Sequence, residues 1–176
     1  MRFPFLRLTG VLFCLAGAVG CGGKPAAEQP AATPAETPKT VEYQNGFWGP
    51  ESFTDAKGTV HNFRWTKEQA TAMLPPWPDE VQLRFGLRIP LEVLSSSPKI
   101  VIALNGTTLE SFIPVVDFYN KSYRLPAGTL RAETPNLLTF RTSATMVPAK
   151  VGSGTDNRTL GLQIVDLRLE RPPKPS

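Results

Sequence analysis

The chain has 176 residues, with 19 Lys and Arg against 15 Asp and Glu, one His, two Cys and 18 Pro. The basic residues form no clustered patch, so nothing points to a nucleic-acid partner, and the prolines argue against long helices. A zinc site lacks ligands, because His61 has no second His or folded-domain Cys to join it.

In chain order, Arg2 and Arg7 precede an apolar run from Leu8 to Val19. That run is shorter than the roughly 20 residues a permanent membrane helix needs, so residues 1–20 read as an export signal. Ala18-Val19-Gly20-Cys21 resembles the lipobox of bacterial lipoproteins. The resemblance implies cleavage before Cys21 and acylation of its thiol, with palmitate-type chains anchoring the protein durably in a membrane. Cys14 would leave with the signal, so no thiol would remain for a disulfide, metal or catalysis. Gly22, rather than Asp, follows the Cys, which by the same resemblance implies the outer membrane of a bacterial cell envelope. The alternative is an ordinary secretory signal with an incidental Cys. Loss of Arg2 and Arg7 leaves 17 basic against 15 acidic residues, a net charge of +2 in place of +4.

Residues 21–40 continue as GGKPAAEQPAATPAETPKT after Cys21, without a large apolar side chain. Such a segment cannot bury enough surface to offset its ordering entropy, and reads as a disordered Pro/Ala-rich tether. Residues 41–172 have the length of one domain, and residues 173–176 are a short tail.

Within that domain VQLRFGLRI, 81–89, is the clearest element: Val81, Leu83, Phe85, Leu87 and Ile89 alternate with Gln82, Arg84, Gly86 and Arg88. Strict alternation predicts a half-buried antiparallel strand. In KIVIALNGTTLESFIPV, Asn105-Gly106 between two β-rich runs predicts a hairpin with positive φ at both turn positions. Shorter strands are expected at Val60–Thr66, Thr71–Leu74, Val115–Tyr119, Ser122–Leu125 and Leu137–Thr142, with at most a helical turn over Lys67–Ala72. In TLGLQIVDLRLE, 159–170, apolar residues occupy even positions up to Ile164 and odd ones from Leu167. That slip predicts a bulge near Val165-Asp166. Roughly eight strands separated by turn signals predict an all-β, jelly-roll-like antiparallel β-sandwich.

Catalytic constellations are scarce, and the chain is not expected to be an enzyme. His61 has no Ser elbow or evident acid partner in sequence. Asp79-Glu80, or Glu51 with Asp156, could supply paired carboxylates, but adjacent strand residues point to opposite faces. TDNRT, 155–159, lacks the dense oxygen ligands of a calcium loop. No metal or cofactor is expected.

GFWGPE at 46–51, RWT at 64–66, ATAMLP at 70–75, the strand at 81–89, LNG at 104–106, Pro148 after TSATMV and TDNRTLGLQIVDLRL occur in one order. The series resembles a galactose-binding-like β-sandwich domain appended to some bacterial cell-surface glycosyltransferases and also found in exported proteins. The resemblance implies a cell-envelope glycan setting without catalytic activity.

Two readings of these residues stand side by side. In one, Trp65 enters the core, Arg64 pairs with Glu51 or Asp156, and Arg158 satisfies loop carbonyls. In the other, Trp48 is a platform for a sugar's apolar face, with Glu51, Arg64, Asp156 and Arg158 bonding hydroxyls; convergent polar groups beside an aromatic suit a small-ligand site. Arg84 and Arg88 form a basic stripe on a strand's polar face, either a solvated face or a contact for phosphate or an acidic glycan, and Trp77 sits in a Pro-fixed loop as a lid or an exposed ring. The leading functional expectation is a non-catalytic carbohydrate-binding module on a lipid-anchored exported protein. A structural adaptor docking another envelope protein is the alternative.

Overall fold

The computed structural model describes residues 40–172. The signal segment 1–20, Cys21, the tether up to residue 39 and the tail 173–176 lie outside the described residues.

Ten strands follow one another: β1 Glu42–Tyr43, β2 Glu51–Thr54, β3 Val60–Trp65, β4 Gln69–Leu74, β5 Val81–Arg88, β6 Ile100–Leu104, β7 Thr107–Phe112, β8 Phe118–Leu125, β9 Asn136–Thr142 and β10 Gln163–Glu170. They form two antiparallel five-stranded sheets, ordered β1-β4-β9-β6-β7 and β2-β3-β10-β5-β8. The chain crosses repeatedly between them, and the inner faces share one core. Phe140, Leu138, Leu74, Ile100 and Ile102 from the first sheet meet Leu83, Leu87, Leu162 and Ile164 from the second side, all fully buried. Each such side chain contributes about 1.5–3 kcal/mol on burial. The all-β sandwich expected from the sequence is the architecture observed.

Local features follow from residue chemistry. Asn105 and Gly106 adopt φ of 51° and 84° and join β6 to β7. The register of β10 against β5 shifts between Val165 and Arg168, and Asp166 takes φ 50° there. Consequently Ile164 points inward before the bulge and Leu167 after it, as the alternation required.

Some expectations are corrected. Residues 69–74 are strand rather than a helical turn: Ala70, Ala72 and Leu74 are buried in alternation and Gln69 pairs with Arg141 of β9. Among the described residues, helix is confined to 3-10 turns at Leu91–Val93 and Pro148–Lys150. The two strands expected at Val115–Tyr119 and Ser122–Leu125 are one, β8, which begins only at Phe118, residues 115–117 being a bend, and runs on through Lys121, whose side chain faces inward. There its ammonium pairs with Glu110 at 2.7 Å and lies 4.0 Å from the Phe112 ring centroid. Glu110 also accepts a short hydrogen bond from the Tyr123 hydroxyl. This group closes the sandwich between edge strands β7 and β8.

At the opposite side the 44–48 loop laces onto both sheets. The N–H of Gln44 donates to Thr71 O, that of Lys67 to Gly46 O, and that of Trp48 to Trp65 O, at 2.7–2.9 Å. Gly46 is required here: its φ is 84°, and an added Cβ would sit 1.9 Å from the Gln69 carbonyl oxygen. Phe47 then packs edge-on to Tyr43 and Phe140, covering the core's open end.

Candidate ligand-binding site

The structure brings Trp48, Glu51, Arg64, Asp156 and Arg158 together at that end. Arg158 is the hub. Its guanidinium donates to both Asp156 oxygens and, through Nη1, to Glu51 Oε1 at 2.8 Å. Fork geometry suits this two-sided grip. The grip holds the Asp156 carboxyl below its ordinary range, first through the Arg158 side chain and then through that residue's backbone N–H. The two carboxylates in turn raise the Arg158 pKa.

Trp48 is half-buried. Its indole Nε1 donates to Thr159 O at 3.0 Å, while Lys67 Nζ and the Arg158 guanidinium lie 4.9 and 5.6 Å from its ring centroid. Arg64 does not pair with either carboxylate. It faces the core side of β3 opposite Ile164, stacks 4.4 Å from the Tyr43 ring and donates to Trp48 O at 3.1 Å. Glu51, Asp156 and Arg158 therefore satisfy one another, and Arg64 anchors the loop that carries Trp48. Beside the indole is an open hollow lined by Lys67, Glu68, Gln69, Thr145 and Asn157. The Glu68 carboxylate and Gln69 amide bond no described residue and face this space.

Trp65 is corrected as well. It pairs with Gln163, one position away from the inward pair Arg64 and Ile164, so it points outward from the sandwich. It shares the outer face of β3 with His61 and Phe63. Trp77, by contrast, packs against the core as a half-buried lid.

His61 has the acid partners that the sequence hid. Its Nδ1 lies 2.7 Å from Asp166 Oδ2 and its Nε2 lies 3.2 Å from Asp55 Oδ2. Two carboxylates on opposite ring nitrogens require both nitrogens to donate, which is the imidazolium. They raise its pKa, Asp166 most and Asp55 next. The ring also stacks on Phe53 at 5.0 Å and 24°. Among the described residues no group of three or more His, Cys, Asp or Glu side chains is disposed to hold a metal ion.

The outward direction of the β3 rings was not legible in sequence, where Trp65 reads as a core residue, because VHNFRW reverses the usual polarity, with Arg64 inside and rings outside. The signal that could have found them is the position-by-position alternation His61, Phe63, Trp65, once Arg64 is allowed to face inward against an aromatic.

No protein-family model matches the chain, and no curated protein matches it in sequence. Among solved structures the chain is similar to TmCBM61 in complex with β-1,4-galactotriose, at 12% identity over 77% of this chain and 90% of that one, TM-score 0.34. It is similar to a family 35 carbohydrate-binding module from an environmental isolate, at 12% identity over 77% and 99%, TM-score 0.35. A family 35 carbohydrate-binding module from Clostridium thermocellum gives 10% identity over 72% and 98%, TM-score 0.30.

Proposed function

We propose that the chain is a non-catalytic carbohydrate-binding module carried on an exported protein that is acylated at Cys21 and held at the bacterial outer membrane. The observation that carries the binding reading is the Trp48 hollow. A half-exposed indole fixed by Thr159, Arg64 and Arg158 stands beside an uncommitted carboxylate and amide at Glu68 and Gln69. An amphipathic wall with a few convergent polar groups matches a sugar's apolar ring face and hydroxyls. Glu51, Asp156 and Arg158 act by holding the indole. The short motifs shared with the accessory domain of cell-surface glycosyltransferases support the same setting.

Full-length protein is expected to bind neutral glycans on an array, and Trp48→Ala to reduce that binding at least tenfold, the order of a lost anchor residue. Unchanged binding by Trp48→Ala would refute this site. Radiolabelled palmitate is expected to enter the wild type and not Cys21→Ser.

A second reading, an adaptor that docks another envelope protein, is favoured by the loop between β7 and β8. Ile113, Val115 and Val116 are 64%, 86% and 49% exposed there. Contiguous apolar exposure of this kind marks contact surfaces. Substituting Val115 and Val116 by Ser separates the readings, since it would release a protein partner and spare glycan binding.

A further inference from the structure

We propose that the outer face of the β2-β3-β10-β5-β8 sheet is a second binding site, distinct from the Trp48 hollow, and that it takes a chain of acidic sugar residues.

The solvent-facing side of an antiparallel sheet is ordinarily polar. Here Phe63 and Trp65 stand outward on β3, with Phe53 beside them on β2 at 5.9 Å from Phe63. Phe118 closes the trough from β8. Its ring lies over Gly86, where an added Cβ would meet Phe118 Cζ at 2.9 Å and Val165 Cβ at 3.1 Å. Phe53 and Phe118 nevertheless stay 44% and 42% exposed. The rings enclose a hollow of about 440 Å³ lined by Ser52, Phe53, Phe63, Arg88, Phe118 and Gln163, within the size range of small-ligand sites.

Two polar groups in that hollow identify the occupant. Gln163 is 6% exposed, and the exposed part includes its amide, which makes no hydrogen bond to the described residues and borders the open space. Opening onto the hollow, the amide can both donate to and accept from a ligand lodged there. Arg88, its cross-strand neighbour, is the second. Among the described residues its one ionic contact is Glu92 at 3.8 Å, beyond hydrogen-bond reach, and its side chain is 47% exposed. The other arginines on this face are engaged: Arg84 and Arg168 share Glu170, and Arg124 is held by Glu80. A planar guanidinium with open donors recognises a carboxylate in two-pronged fashion.

Flat apolar rings, an amide open to hydroxyl partners and a guanidinium with open donors together fit a uronate-bearing oligosaccharide. An all-apolar protein segment would strand both Gln163 and Arg88. The same chemistry gives the experiment its controls. Calorimetry on the full-length lipoprotein in detergent would use oligogalacturonate and alginate oligomers, each beside its carboxyl-reduced, neutral counterpart.

At least one acidic oligomer is expected to bind, its reduced form about tenfold or more weakly, the scale of a lost charged hydrogen bond. Arg88→Gln should bring acidic and reduced forms to the same affinity and flatten the salt dependence. Gln163→Leu keeps the buried volume and is expected to lose binding without loss of thermal stability. Trp48→Ala should leave this binding intact. The proposal is overturned if no acidic oligomer binds, if acid and reduced forms bind equally to wild type, or if binding survives Arg88→Gln and Gln163→Leu. Loss on Trp48→Ala alone would overturn it too while leaving the end hollow as the glycan site. Dissolution of a dimer by Arg88→Gln and Gln163→Leu, with no glycan bound, would make this face an interface between copies and also overturn it.

Discussion

At the scale of single residues, the sandwich depends on a few polar side chains placed where water cannot reach. Asn136 is fully buried at the start of β9. Its Oδ1 accepts from the Arg131 N–H and from Asn105 Nδ2, both at 2.8 Å, and its Nδ2 donates to the Arg131 and Thr134 carbonyls at 3.3 and 3.4 Å. One side chain thus ties the hairpin turn of β6 and β7 to the loop that enters β9. Asn136→Ala leaves buried partners unsatisfied and is expected to cost about 2–3 kcal/mol, read as a lower denaturant midpoint at unchanged slope. Asn136→Asp tests the same point, because a carboxylate cannot supply the amide's donors. Thr66 plays a related part: its Oγ1 accepts the Leu162 N–H at 2.8 Å where Gly161 approaches too closely for any side chain.

At the scale of elements, the β2–β3 hairpin is held to β10 by His61. Asp55 at the hairpin tip is itself fixed by the N–H groups of Lys57 and Thr59, and Asp166 at the bulge by that of Asn62. Only the protonated ring bonds both carboxylates. Because its folded pKa lies above the ordinary 6.5, its stabilisation is fully present below 6.5 and disappears as pH rises through the folded value. Asp55, lowered chiefly by the Thr59 N–H and next by His61, contributes in the opposite sense: its share is present above about 3.8 and is lost as pH falls through its folded value. Arg168, which donates to Asp166 O at 3.3 Å, is the nearby cation opposing imidazolium formation, and Lys57 neighbours Asp55. Thermal melts should therefore show wild type losing stability as pH rises above 6.5, with His61→Gln flat over the same rise. Equal slopes for the two proteins would remove the latch.

At the scale of the whole molecule, what the sequence made legible is what binary patterning can encode. The alternation of 81–89 located a central strand, Asn105-Gly106 located a hairpin, and the change of parity after Ile164 located the bulge. The edges were harder. β1 has two residues and β2 four, too few for a period to emerge. β8 was split because Tyr119, Lys121 and Tyr123 carry polar tips on inward positions, where ion pairing and ring contacts, set by distant residues, hide the charge. The grouping of Trp48 with Arg158 was visible as a candidate cluster. Its wiring was not, since whether Arg64 or Arg158 meets Glu51 depends on which side of β3 faces inward. Of the trough only Arg88 was legible, as part of the basic stripe; the rest is assembled from five strands, β2, β3, β5, β8 and β10.

The displaced residue at Asp166 has a bearing on which changes in chain length this module tolerates. Upstream of it β10 offers Gln163 and Val165 to the outside, and downstream it offers Arg168 and Glu170. Deleting that one position would keep every remaining residue yet swap the two sides of the final stretch, sending Arg168 and Glu170 into oil and Leu167 and Leu169 into water. The length of this strand is thereby locked as firmly as its composition.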